Sequence, residues 1–285
     1  MILKENEDLI KNPKPFLRWA GGKRWFVKYL EDINKIKINN YFEPFVGGGS
    51  VFFNLKNYEN AFLSDLNSDL IETYEALRDN VIEVILALKE FRNDKNEYYK
   101  IRSLKFENKI EKAAQFIYLN QTSFNGIYRV NRNGNFNVPF GNRNKKDIIE
   151  EENLLLVHKK LENVNIICGD FEDNLKTINK GDLVFLDPPY TVAHEKNGFI
   201  QYNQKIFSLD DQFRLSKFVK KIEEKGAFYI LTNAKHQAIL EIYKDLGNPV
   251  SLKRSSTIGG LGAKRGKEGF NEYIFSNCLN LKTND

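Results

Sequence analysis

The run Leu183-Val184-Phe185-Leu186, continued at once by Asp187-Pro188-Pro189-Tyr190, decides the fold. Four consecutive apolar residues between turn signals read as a buried strand. Two prolines end that strand and stiffen the segment after it. A carboxylate, a backbone without donors and an aromatic face therefore arrive together at a strand's carboxyl end. In open α/β sheets that edge is where ligands bind. The set suits a flat ring bearing an amino group: Asp187 and a proline carbonyl accept from the NH2, and Tyr190 stacks on the ring. The same four residues also fit a plain strand-to-loop turn with an exposed Asp and Tyr, so the rest of the chain has to decide.

Upstream, Tyr41 to Phe45 reads as a short strand, and the loop Gly47-Gly48-Gly49 comes directly after it. Ser50 is placed to cap a helix through Leu55. Ala61 to Ser64 reads as the next strand, ending at Asp65, and Ser68 opens a helix to about Arg78. This β-loop-α-β-α order is the start of a nucleotide-binding half-sheet. Glycines let the backbone turn tightly and approach a ligand. The acid sixteen residues past Gly49, Asp65, stands where it can accept from ribose hydroxyls. The strand Val164 to Cys168 leads to Gly169-Asp170-Phe171, a carboxylate and an aromatic suited to an adenine edge. Ala227 to Thr232 and Asn271 to Ser276 read as further strands, the last antiparallel.

Between the second and third core strands the pattern changes. From about Val81 to Gln121 the periodicity is helical and the charge heavy. Next comes a polar, aromatic, glycine-bearing stretch, in which Asn133-Gly134 is a hairpin-turn signal. At the start of the chain, Trp19-Ala20-Gly21-Gly22-Lys23 combines an aromatic, two glycines and a cation. That set suits a clamp on a small molecule carrying a carboxylate, or a hydrophobic anchor beside a solvated lysine. A ligand with adenosine at one end and a carboxylate at the other is S-adenosylmethionine.

The chain has 285 residues, 41% of them hydrophobic, enough for one large α/β domain or a core with one insertion. Net charge is only +5, but its distribution is informative. Lys14–Lys28, Arg129–Lys146 and Lys253–Lys267 each carry five basic residues and no acid. Three such stretches point to one positive surface built from distant segments. Two cysteines, Cys168 and Cys278, offer neither metal spacing nor a disulfide framework, and no metal is expected. The charged N-terminus is no secretory signal and no apolar run reaches the length of a membrane span. A soluble, cytoplasmic protein is expected.

Five segments together resemble the alpha group of the Dam-type DNA adenine-N6 methyltransferases. They are Phe16-Leu17-Arg18-Trp19-Ala20-Gly21-Gly22-Lys23, Phe42-Glu43-Pro44-Phe45-Val46-Gly47-Gly48-Gly49-Ser50, Asp65-Leu66-Asn67-Ser68-Asp69-Leu70, Phe136-Asn137-Val138-Pro139-Phe140-Gly141 and Asp187-Pro188-Pro189-Tyr190. The resemblance covers about residues 14 to 277. It implies a Rossmann-like S-adenosylmethionine-dependent methyltransferase core over 1–78 and 160–285, with a helical target-recognition insertion over 79–159. It implies S-adenosylmethionine as donor and duplex DNA, most often GATC, as target, in a bacterial or phage setting. Asp187, Pro188 and Tyr190 would hold the adenine, flipped out of the duplex. Trp19, Lys23, Phe45, Gly47, Asp65, Asp170 and Phe171 would surround the cofactor. Arg18, Asn125, Arg129 and Pro139 would meet DNA, Asn125 filling the gap left by flipping and Arg129 reading guanine. Arg129 as a phosphate clamp is the alternative. Arg18 stands where many members have lysine. Such enzymes work alone or beside a restriction endonuclease that acts on the same site without touching them. RNA or protein-glutamine methylation, and a silent nucleic-acid-binding module, are the competing functions.

Overall fold

The structure is a computed structural model that describes residues 12–131, 133–142, 149–191, 207–254 and 270–279. The chain divides into two compact units: Met1–Val27, Gly47–Leu55 and Asp69–Glu162 form the first, and Lys28–Val46, Lys56–Ser68 and Asn163–Asp285 the second. Among the described residues no helix is long and apolar enough to cross a membrane.

The second unit holds a seven-stranded sheet. Its strands are β1 (Asn40–Glu43), β2 (Asn60–Asp65), β3 (Asn165–Cys168), β4 (Leu183–Leu186), β5 (Phe228–Ala234), β6 (Val250–Arg254) and β7 (Phe270–Ser276), in the order β3-β2-β1-β4-β5-β7-β6. The first five run parallel, and β7 is antiparallel to both β5 and β6. All four residues of β4 are buried, as an apolar run in mid-sheet requires. Edge strand β3 buries only Ile166. The chain places β2 and β3 on one side of β1 and β4 on the other, so the order reverses between β1 and β4.

Two short helices, α1 (Leu30–Ile33) and α8 (Gln237–Ile242), and the long α7 (Leu209–Glu224) belong to this unit. A capping box starts α7: the Ser208 hydroxyl accepts from the Asp211 amide at 3.1 Å, and Asp211 accepts from the Ser208 amide at 2.9 Å. Leu215, Phe218, Val219 and Ile222 recur at helical spacing and pack with Phe42, Val184 and Leu186 in one core cluster.

The first unit is helical: α2 (Ser68–Asp79, from its second residue), α3 (Val81–Lys89), α4 (Lys95–Ser103), α5 (Lys109–Thr122) and α6 (Glu151–Leu161). Asp94 and Asn108 cap α4 and α5 through their side-chain oxygens. After α5 the chain forms a hairpin. Ser123 bridges Phe140 and Val130 bridges Phe136, both antiparallel. Gly134, at φ +76°, and Asn131, which accepts from the Asn133 and Asn135 amides, shape the expected turn.

Two expectations change. Strand β1 stops at Glu43 because Pro44 has no N–H to extend the ladder. The helix expected from Ser50 to Leu55 is a single 3-10 turn, Phe52–Asn54, entered at Val51 with no side-chain cap. Val51, Phe52, Phe53 and Leu55 are all buried, so the segment has no solvent face for an amphipathic helix. Strand β6 and helices α1, α6, α7 and α8 were not read from the sequence.

A buried polar network ties the segment after β4 to α7. Gln212, fully buried, donates to Thr191 Oγ1 at 3.0 Å and accepts from Asn233 at 3.0 Å and from the Tyr243 hydroxyl at 2.6 Å. Burial pushes the Tyr243 pKa up, which keeps its hydroxyl a donor. Replacing Gln212 by Leu strands these partners in a dry interior. We expect Gln212→Leu to cost about 2–4 kcal/mol in urea unfolding. A loss below about 0.5 kcal/mol would show that the network adds nothing to stability.

Candidate active site

In the second unit the carboxyl ends of the parallel strands form one edge, and acids stand after three of them. Asp65 is the last residue of β2, Asp170 lies two residues past β3, and Asp187 comes directly after β4. Asp187 therefore stands at the reversal between β1 and β4, the position where open α/β sheets bind ligands. Glu43, buried at the end of β1, accepts from the Tyr41 hydroxyl at 2.7 Å. Burial, reinforced by the Glu43 charge, pushes the Tyr41 pKa far up, so that hydroxyl remains a donor.

Each acid is held locally. Asp65 accepts from the Asn67 amide at 3.0 Å, and its carbonyl accepts from the Gly169 amide at 3.1 Å. This second bond ties the end of β2 to the loop after β3. Asp187 accepts from the Thr232 hydroxyl at 2.9 Å. The register explains the pairing: Leu186 faces Leu231, so the next residues on β4 and β5 meet. Pro188 is buried, and Asp187 and Tyr190 are half-buried. Asp170 caps a 3-10 turn, Phe171–Lys176, and its Oδ1 accepts from the Glu172 amide at 3.0 Å. Phe171 is buried, with its ring centroid 5.6 Å from that of Phe45 and 5.4 Å from that of Phe218.

The first unit holds Trp19, Lys23 and Gly47. Gly47 has φ +45°, and a Cβ there would lie 2.7 Å from the Trp19 indole, closer than any real contact. The glycine's intimate neighbour is thus an indole, a feature its sequence context did not reveal. Tyr74 donates to the Gly47 carbonyl at 3.0 Å. Trp19 stacks in turn on Tyr128, with centroids 5.7 Å apart. Lys23 is buried, and its ammonium donates to the Gly21 carbonyl at 3.0 Å.

The residues expected at DNA gather in the same unit. Asn120 accepts from the Arg18 amide at 2.8 Å and donates to the Arg18 carbonyl at 2.9 Å. Arg18 packs so tightly on Gly126 that a Cβ there would lie 2.6 Å from it. Neighbouring Asn125 takes the left-handed conformation at φ 56°. The Pro139 carbonyl accepts from the Phe124 amide at 2.8 Å. Arg129 is exposed; its Nε donates to Asn137 Oδ1 at 2.7 Å and its Nη2 to the Asn137 carbonyl at 3.2 Å. Phe124, unassigned from sequence, is 47% exposed although aromatic. Its signal was its place beside Asn125-Gly126. Of the basic stretches, Arg132, Arg143, Lys145, Lys146, Lys264, Arg265 and Lys267 lie outside the described residues, as does the Arg254 side chain.

Thr232 and Asn137 were also missed, because each is defined by a partner far along the chain or across a hairpin. Among the described residues no group of three His, Cys, Asp or Glu side chains could hold a metal ion.

The family of D12 class N6 adenine-specific DNA methyltransferases matches residues 19–258. The Type II methyltransferase M.MjaIII of Methanocaldococcus jannaschii is 36% identical, over 93% of this chain and 99% of its own length. The Type II methyltransferase M1.LlaDCHI of Lactococcus lactis is also 36% identical, over 94% and 97%. The DNA adenine methylase of Escherichia coli is 32% identical, over 88% and 92%. The chain belongs to the D12 class of N6 adenine-specific DNA methyltransferases and has their Rossmann-like α/β fold.

Proposed function

We propose that the chain methylates N6 of adenine in duplex GATC, with S-adenosylmethionine as donor and the target base flipped out of the helix. The observation that carries the reading is Asp187 at the β1/β4 reversal, with one side-chain oxygen held by Thr232. Asp187 and the Pro188 carbonyl accept from the two N6 hydrogens. This turns the nitrogen lone pair away from the base's hydrogen-bonding edge. Tyr190 stacks on the ring. The donor supplies an electrophilic sulfonium methyl when bound. These residues contribute orientation and exclusion of water, effects able to account for many orders of magnitude in rate.

The donor set of the second unit fits that cofactor. Asp65 offers a carboxylate to ribose hydroxyls, and Asp170, Phe171 and Phe45 offer an acceptor and rings to adenine. Trp19, Lys23 and Gly47, of the first unit, keep the cofactor assignment that the resemblance implies.

Residues 79–159 recognise DNA in this reading. With Nε of Arg129 on Asn137, Nη1 and one Nη2 hydrogen remain for guanine O6 and N7. Asn125 fills the gap left by the flipped base, and exposed Phe124 is suited to wedge between bases. Arg18 and Pro139 support this segment. Relatives at 36% identity are named Type II methyltransferases. On that ground we propose a modification role in the cytoplasm, opposite an endonuclease that acts on the same site without touching this chain.

Asp187→Ala should lower methylation of GATC duplexes by about 10²–10³-fold or more, while calorimetric S-adenosylmethionine binding stays within about twofold. Activity within a few-fold of wild type would sink the mechanism. Asp65→Ala should weaken cofactor binding by about tenfold or more, since a charged acceptor is lost. An unchanged dissociation constant removes Asp65 from the site. Arg129→Ala should cost about 1–3 kcal/mol of discrimination at the guanine alone. Methylation rates on duplexes substituted at each position test this; equal slowing on every duplex makes Arg129 a phosphate clamp.

A further inference from the structure

Arg214 lies in the second turn of α7 and joins three carboxylates, two from the turn after β3 and one from its own helix. Its Nη2 donates to Asp170 Oδ1 at 2.8 Å and to Glu172 Oε2 at 2.6 Å. Its Nε reaches the same Glu172 oxygen at 3.1 Å, and its Nη1 reaches Asp211 Oδ1 at 2.9 Å. The guanidinium carbon also sits over the Phe171 ring, 4.9 Å from its centroid. A planar fork that bonds and stacks together fixes its neighbours in rotation as well as distance. One side chain thereby orients both Asp170 and Phe171.

The arrangement has a consequence for Asp170. Its Oδ1 is taken twice, by Arg214 and by the Glu172 amide at 3.0 Å. Its own amide donates to Asp173 at 2.8 Å, so the residue is held at the backbone too. The Asp173 amide closes a capping box on the same side chain. A carboxylate fixed in this way complements an amino group and repels a carbonyl oxygen.

We infer that Arg214 is a positioning residue that makes the cofactor pocket selective for a 6-amino purine, by fixing the orientation of the Asp170 carboxylate that accepts from that amino group. The inference rests on the reading that Asp170 and Phe171 hold the donor's adenine. Lysine could not replace arginine here, because a point charge has neither the fork nor the stacking face.

The test measures binding of S-adenosylhomocysteine and of S-inosylhomocysteine, which carries a carbonyl oxygen in place of the amino group. Wild type should prefer the adenosyl compound by about tenfold or more. Arg214→Met should bring that ratio to within about twofold of unity, and Arg214→Lys should recover only part of it. The kcat at saturating donor should stay within about twofold of wild type for both. Glu172→Gln, which loosens the fork without touching Asp170, should shift the ratio the same way and carries the test if Arg214→Met does not fold. Asp170→Asn separates the two ideas. If it keeps the wild-type ratio, the assignment of Asp170 to adenine fails. If it loses the ratio while the folded Arg214 and Glu172 variants keep it, the role of Arg214 is overturned. A lower melting temperature with an unchanged ratio also overturns it, since a purely structural contact would behave that way.

Discussion

The pairing of β1 with β4 is the constraint on which the second unit depends. Tyr41 faces Leu183 and Phe42 faces Val184, all deeply buried. Because β2 and β3 lie to one side of this pair and β5 to the other, the connections diverge at its carboxyl end. Divergence leaves a crevice that needs no specialised residues to exist. What the sequence adds is chemistry at its rim: an acid at each of three strand ends, and two prolines that stop β4 where the crevice opens. Losing this pairing would separate Asp187 from Asp65 and Asp170 even if every local element survived.

The rim acids illustrate how a buried sheet edge tolerates charge. A carboxylate removed from water is costly unless it is hydrogen-bonded. Asp187 has Thr232, Asp65 has the Asn67 amide, and Asp170 has both a capping role and Arg214. Asp211 completes the cluster: burial would raise its pKa, but the Ser208 amide and hydroxyl and then Arg214 outweigh that and hold it low. The hydrogen bonds to these carboxylates hold their oxygens in place as acceptors, as recognition of amino and hydroxyl groups demands.

In the first unit the corresponding constraint is aromatic packing. Trp19 lies against Gly47 and stacks with Tyr128, whose hydroxyl donates to Asp69 at 3.0 Å. A loop glycine, an N-terminal tryptophan and a residue of the hairpin that carries Arg129 are thus linked by direct contact.

Much of this was legible in the primary structure, and the boundary is physical. Strand β4, the turn at Gly134, the helices between Val81 and Gln121 and the acids after β2, β3 and β4 all arise from the residues beside them: apolar runs, proline's missing donor and glycine's positive φ. Where the apolar side chains face inward on every side, as at Val51, Phe52, Phe53 and Leu55, the reading failed. The amino-acid sequence by itself determined the α/β class, the family and the placing of chemistry-bearing residues at strand ends. Only the tertiary structure decided that Trp19 fills the space beside Gly47, that Thr232 holds Asp187, and that Arg214 reaches Asp170 across 44 residues. Those partners are chosen by strand register and helix packing, which no local period encodes.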